Sequence, residues 1–150
     1  MVQRSLPMTS LTQSEDGLTV EYSFADMSNN VYGIGVDCCS VRRWKNMIQR
    51  RQNIIKWLLA PGERPLRAES QAARWAAKEA LIKATGISLI GRFTECEIVT
   101  LPTGRPTFHF SLSLQKDLNR VDINHIEVSL SHDDDMAVAF VVCDVAHNKH

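Results

Sequence analysis

The chain has 150 residues, 44% of them hydrophobic, with 17 basic and 17 acidic side chains. That length suits one compact domain with a sizeable core, and the zero net charge excludes a global field for nucleic acid. No window reaches the run of about 18 apolar residues that a membrane-spanning helix needs, and no basic-then-apolar leader opens the chain. A soluble, cytoplasmic protein without membrane contact is expected.

Residues 1–30 read as a mostly polar N-terminal extension of uncertain order, in which residues 18–24 offer a short strand and Met27 an alternative start. Residues 31–36 read as a strand whose period of two puts Gly33, Gly35 and Asp37 on one side and Tyr32, Ile34 and Val36 on the other. Ser40 is suited to cap a helix running to about Leu59, where Ala60-Pro61-Gly62 stops it. A second helix is predicted over 68–85, ending at Gly86, a residue suited to a left-handed cap.

Residues 95–101 and 107–112 look like strands joined by a tight turn from Pro102 to Pro106, and a short helix over 113–121 follows. Strands over 126–131 and 136–143 flank His132-Asp133-Asp134-Asp135, read as a solvated turn, and 145–150 is a polar tail. The order β-α-α-β-β-α-β-β over residues 31–144 predicts an α+β domain, one largely antiparallel sheet packed against a long helix.

Cys38, Cys39, Cys96 and Cys143 include no C-x-x-C pair and no histidines at zinc spacing, so they read as reduced, small apolar residues. The charge is uneven despite its zero sum. From Arg42 to Lys56 there are six basic residues and no acidic one.

Ala73, Ala77, Ala80, Leu81 and Ala84 recur at helical spacing, a face of small side chains that admits a close neighbour. The bare Gly33/Gly35 side of the first strand is such a neighbour, and Asp37 projects from that same side. Packing the two together brings Glu79, at the edge of the alanine face, toward Asp37. Two close carboxylates repel unless a cation sits between them or one stays protonated. Magnesium takes one or two protein carboxylates and leaves positions for water and phosphates, and Lys83, one turn beyond Glu79, adds positive charge for those phosphates. Taken alone, Glu79 and Lys83 are an exposed i,i+4 ion pair worth about 0.2 to 0.5 kcal/mol, and Asp37 alone is a turn or cap residue.

Four blocks, Gly33-Ile34-Gly35-Val36-Asp37, Trp75-Ala-Ala-Lys-Glu-Ala-Leu-Ile-Lys83, Gly104-Arg105-Pro106 and Val128-Ser-Leu-Ser-His132, resemble the holo-[acyl-carrier-protein] synthases in order and spacing, from about Tyr32 to Val142. The resemblance implies the 4'-phosphopantetheinyl transferase fold and transfer of 4'-phosphopantetheine from coenzyme A to a serine of an acyl carrier protein, releasing adenosine 3',5'-bisphosphate. It implies magnesium on Asp37 and Glu79, Lys83 beside the coenzyme A phosphates, and Gly104, Arg105, Pro106, Ser131 and His132 along the nucleotide. It further implies a homotrimer with the nucleotide held between neighbouring subunits. By position alone, His132 is a turn histidine bonded to a nearby carboxylate.

Departures from the family pattern are Cys38-Cys39 after the aspartate, Ser40 where the family often has Glu, and Arg105 in place of the common Lys. Arg105 keeps the charge in fork geometry, while Ser40 removes a carboxylate that would support the metal. Glu79, Asp37 or a metal-bound water can take the carrier serine's proton, and the sequence does not choose among them. In the basic helix, Arg43, Met47 and Arg50 share one face, matching the family's docking helix for an acidic carrier. Two other readings carry their own tests: a nucleic-acid module, revealed by steep salt dependence, and a family member that binds coenzyme A without turnover, revealed by binding without transfer.

Overall fold

The computed structural model describes residues 10–14, 17–21 and 30–145. Within the extension, β1 (Ser10–Ser14) and β2 (Gly17–Glu21) form an antiparallel hairpin; the strand expected over 18–24 overlaps β2, and its last three residues lie outside the described ones. The tail at 146–150 also lies outside them.

The central sheet has the order β3-β7-β6, all antiparallel, from β3 (Val31–Ser40), β6 (Ile123–Asp133) and β7 (Met136–Val145). The long helix α3 (Ala68–Thr85) lies across one face of it. The expected glycine–alanine contact is the tightest point. A Cβ added at Gly33 would run into the Ala84 carbonyl, and one at Gly35 into the Ala80 carbonyl. Ala76, Ala77, Ala80 and Ala84 are buried here with Ala139, Val141 and Cys143 of β7. Gly86 ends α3 with φ 72° and its N–H donating to the Ile82 carbonyl at 2.8 Å.

Two expectations are corrected. The helix expected from Ser40 to about Leu59 is broken. It comprises α1 (Val41–Arg50), a bend at Arg51 (φ −136°, ψ 68°), a 3-10 turn over Gln52–Ile54 and the short α2 (Ile55–Leu58). Trp44 and Leu59 are both buried in one cluster. Fifteen residues of straight helix would hold them about 22 Å apart, so the chain must fold back.

The sheet is likewise not continuous. β4 (Cys96–Thr100) and β5 (Pro106–Phe110) form a separate hairpin, and Pro106, opening β5, brings no N–H to a further ladder. The helix expected over 113–121 is α4 (Leu112–Arg120), with the Ser111 hydroxyl accepting from the Leu114 N–H at 3.1 Å.

One buried ion pair ties these layers together. Lys78 Nζ donates to Glu63 Oε2 at 2.7 Å and to the Leu58 and Phe93 carbonyls, while Glu63 accepts from the Ala60 and Ile98 N–H groups. Both side chains are fully buried. Every charge-bearing atom has partners, which is the condition under which such a pair is tolerated.

Candidate active site

Asp37 projects from β3 on the side that faces α3, since Gly35 and Asp37 alternate with the exposed Ile34 and Val36. The close approach of strand and helix brings Glu79 and Lys83 to it. Lys83 Nζ donates to Asp37 Oδ1 at 2.8 Å and to the Val36 carbonyl at 2.9 Å. That bond to Asp37 holds the Lys83 pKa above its ordinary value. Partial burial and then the Asp37 charge push the Glu79 carboxyl above the usual carboxylate range, with Lys83 opposing. Asp37, Glu79 and Lys83 therefore stand together as the spacing predicts. Among the described residues, no group of three or more His, Cys, Asp or Glu gathers anywhere to hold a metal.

Beside them a cavity of about 590 Å³ opens between the end of β3 and α1. Arg43, Met47 and Arg50 line it from α1, and Cys38, Cys39 and Ser40 line it from β3. The predicted basic face and the carboxylate centre thus adjoin through three consecutive residues. Trp75 also lines the cavity; it stacks on Trp44 (6.1 Å between centroids) and contacts Phe93 (4.8 Å). Trp44 is anchored by its indole N–H on Gln71 Oε1 at 3.0 Å. These tryptophans were not legible as site residues, because aromatic spacing in a helix reads first as core.

All four cysteines are free. Cys96 and Cys143 are buried as expected, and burial raises their thiols to about 12 and about 11. Cys38 departs from the expectation, being exposed on the cavity wall.

Ser131 and His132 do not join the carboxylate centre within one chain. In the register they stand opposite Val138 and Ala137, which in turn pair with Cys38 and Cys39. Two strand spacings, about 10 Å, separate them from β3. Directly paired residues share a face, so His132 lies on the α3 side with Ala137, and Ser131 on the outer side with Val138. The turn is shorter than expected: β6 runs to Asp133, so His132 is a strand residue and only Asp134 and Asp135 form the bend. The Glu69 pKa is lowered chiefly by the hydrogen bond from its own backbone, then by the charges of Lys45 and Arg67 and, least, by His132. Glu69 is ten residues before Glu79, about 15 Å along α3.

Gly104 takes φ 86° in the 101–105 turn, with its N–H donating to the Leu101 carbonyl at 2.8 Å. Next to it, Arg105 pairs loosely with Glu127 at 3.5 Å, both exposed. Glu127 is five residues along β6 from His132, about 17 Å. Glu127 pairs with Val142, which pairs with Ile34, three residues before Asp37 and two strands away, so the segment from Gly104 to Pro106 stands apart from both Asp37 and His132.

Residues 33–141 match the 4'-phosphopantetheinyl transferase superfamily, and the chain belongs to that family. Its relatives narrow the class. It is 39% identical over 115 residues to the holo-[acyl-carrier-protein] synthase of Cutibacterium acnes, covering 76% of this chain and 98% of that one. With the Leifsonia xyli synthase it shares 40% over 112 residues, covering 75% and 95%. Among solved structures, the Neisseria meningitidis holo-[acyl-carrier-protein] synthase matches with a TM-score of 0.71 at 31% identity, covering 76% and 98%. The Helicobacter pylori synthase, solved in complex with coenzyme A, matches at 0.66 with 28% identity, covering 74% and 99%. Within the superfamily the chain groups with the holo-[acyl-carrier-protein] synthases and is a phosphopantetheinyl transferase enzyme. Among the described residues, no helix is long and apolar enough to cross a membrane.

Proposed function

We propose that this enzyme transfers 4'-phosphopantetheine from coenzyme A to a serine of an apo acyl carrier protein or carrier domain, with Asp37 and Glu79 holding magnesium and adenosine 3',5'-bisphosphate as the other product. The observation that carries the reading is the convergence of Asp37, Glu79 and Lys83 beside a cavity lined by Arg43, Met47 and Arg50. Relatives that bear the synthase name, and the Helicobacter pylori one solved with coenzyme A, support it.

The donor set fits a hard divalent cation. Two carboxylates, one with its charged form disfavoured by burial and by the other's charge, gain from a cation between them, and a two-carboxylate set suits magnesium. Such an ion, when bound, supplies neutralisation of the charge that spreads over the phosphate oxygens. The chain's own residues do the rest. Lys83, on a flexible stem, moves from Asp37 to the pyrophosphate. As the serine oxygen bonds the β-phosphorus and the bond to the bridging oxygen breaks, that oxygen leaving on adenosine 3',5'-bisphosphate, the serine proton passes to a general base, for which Asp37 and Glu79 are both placed. Arg43 and Arg50 steer the acidic carrier, and Met47 supplies an adaptable apolar contact between them.

Gly104, Arg105, Pro106, Ser131 and His132 are assigned to the nucleotide of a neighbouring subunit in a homotrimer, because one chain does not gather them at Asp37. The outer face of the sheet supports that assembly: Tyr32, Ile34, Val36, Met136, Val138 and Phe140 form an exposed apolar patch.

The test is mass spectrometry of an apo-carrier incubated with coenzyme A and Mg²⁺. The carrier should gain the phosphopantetheine mass. Asp37→Ala or Glu79→Ala should abolish the gain while circular dichroism stays unchanged; undiminished labelling by either variant rejects the site.

A further inference from the structure

The start of α1 is closed by a residue ninety-odd positions away in the chain. An α-helix begins with N–H groups that have no partner inside the helix, and here the first three are each taken. The Val41 N–H donates to the Asp135 backbone carbonyl at 2.7 Å, and the Arg42 N–H to Asp135 Oδ1 at 2.8 Å. The Arg43 N–H donates to Ser40 Oγ at 3.2 Å, and the Ser40 hydroxyl in turn donates to Asp135 Oδ2 at 2.6 Å. Asp135 thus accepts three hydrogen bonds at this terminus, and its carboxylate complements the positive end of the helix dipole. The Ser40 and Arg42 bonds hold its pKa below the usual range. Asp134, in the left-handed region at φ 49°, makes the tight bend that presents Asp135 to α1.

We propose that Asp135 is a positioning residue for the carrier-docking helix: through Ser40 and the first amides of α1, it fixes the Arg43/Met47/Arg50 face relative to Asp37. The inference rests on the transferase reading above. Ser40 is the last residue of β3, three beyond Asp37, and also the cap of α1. Any drift of the α1 start therefore changes the reach from the docking face to the carboxylate centre. Asp135 acts through the helix, because it lines a second hollow, with Arg42 and Lys45, distinct from the cavity that Arg43, Met47 and Arg50 line. In this chain Ser40 and Asp135 together bring a carboxylate to the helix start from the β6–β7 bend.

The test measures steady-state transfer with carrier and coenzyme A varied separately, for wild type, Asp135→Ala, Asp135→Asn and the double variant Ser40→Asp/Asp135→Ala, which places a carboxylate at the cap position of α1 itself. Asp135→Ala should raise the KM for carrier by about five- to tenfold, the size of a lost cap, and leave the KM for coenzyme A within about twofold. Asp135→Asn should fall between, and the double variant should restore the carrier KM. If Asp135→Ala does not fold, the Asn and double variants carry the comparison. An unchanged carrier KM, or equal losses for both substrates, overturns positioning while leaving the transferase intact. A lowered carrier KM also overturns it, since that is the result of merely removing a negative charge facing an acidic partner. Absent transfer by wild type overturns both readings.

Discussion

Lys83 Nζ lies 2.8 Å from Asp37 Oδ1, so the cation proposed for the pyrophosphate rests on a carboxylate proposed for the metal. The lysine side chain is 54% exposed, and an ion pair so open to solvent contributes little to stability. Lys83→Ala should therefore leave thermal unfolding nearly unchanged yet lower kcat by about a hundredfold, the usual scale for removing one donor from developing charge. Side-by-side melting curves and turnover measurements check it; an unimpaired kcat would put the phosphates elsewhere.

Glu79 has the opposite relation to stability. Its folded pKa is raised, by burial first and Asp37 second, so the folded protein binds a proton more tightly than the unfolded chain does. The sign follows: this group's contribution becomes less favourable as pH rises from the ordinary glutamate value through the raised one, and it improves again on acidification through that window. Without added metal, Glu79→Gln should be at least as stable as wild type at neutral pH and should lose that part of the pH dependence. Adding Mg²⁺ should raise the melting temperature of wild type, since ligands that bind only the folded state stabilise it, and leave the variant's unchanged. Differential scanning fluorimetry with and without chelator reads both.

The parts of this fold legible in the sequence were those whose cause is local or periodic. Alternation about Gly33 and Gly35, the alanine spacing of α3, the Ser40 cap and the Gly86 stop each rest on neighbours within a few residues. What escaped was set by partners distant in sequence. Nothing local marks Glu63 and Lys78 as fully buried, because their enclosure depends on the fold-back at Arg51. Asp135 read as one of three solvated aspartates, and only the closing of the β6–β7 hairpin over α1 reveals it as a cap. The site was likewise half legible: Asp37, Glu79 and Lys83 follow from one strand–helix contact, whereas the cavity wall of Trp75, Arg51 and Cys38 follows from how α1 leaves β3.

Gly35 tests that contact directly. An added methyl would meet the Ala80 carbonyl, which belongs to helix backbone and cannot turn aside as a flexible side chain would. Overpacking of this kind costs about 1 to 3 kcal/mol. Gly35→Ala should show a lowered urea midpoint of that order, and transfer should fall by more than the loss of folded protein explains, because Asp37 moves away from α3. Full activity per folded molecule would mean that the strand–helix spacing does not set the carboxylate geometry.

The outer face of the sheet offers a test of whether the residues proposed for the nucleotide act in the same chain or across chains. Ile34 and Val36 on β3 are 60% and 53% exposed, and Phe140 on β7 is 44% exposed. Val36 and Phe140 are paired in the register, so the patch is continuous and lies on the side away from α3. A charge placed there is solvated in a monomer and buried unpaired in an assembly, a difference of several kcal/mol. If copies of the chain assemble through this face, Phe140→Asp should shift the protein to monomers by light scattering, with the fold retained. If His132 and Arg105 serve a neighbour's nucleotide, the monomeric variant should also lose coenzyme A affinity, although Phe140 faces away from α3, paired with the exposed Val36. A wild type that is already monomeric and fully active would instead require one chain to bind the whole nucleotide, and the separation along β6 between His132 and Glu127, the partner of Arg105, speaks against that.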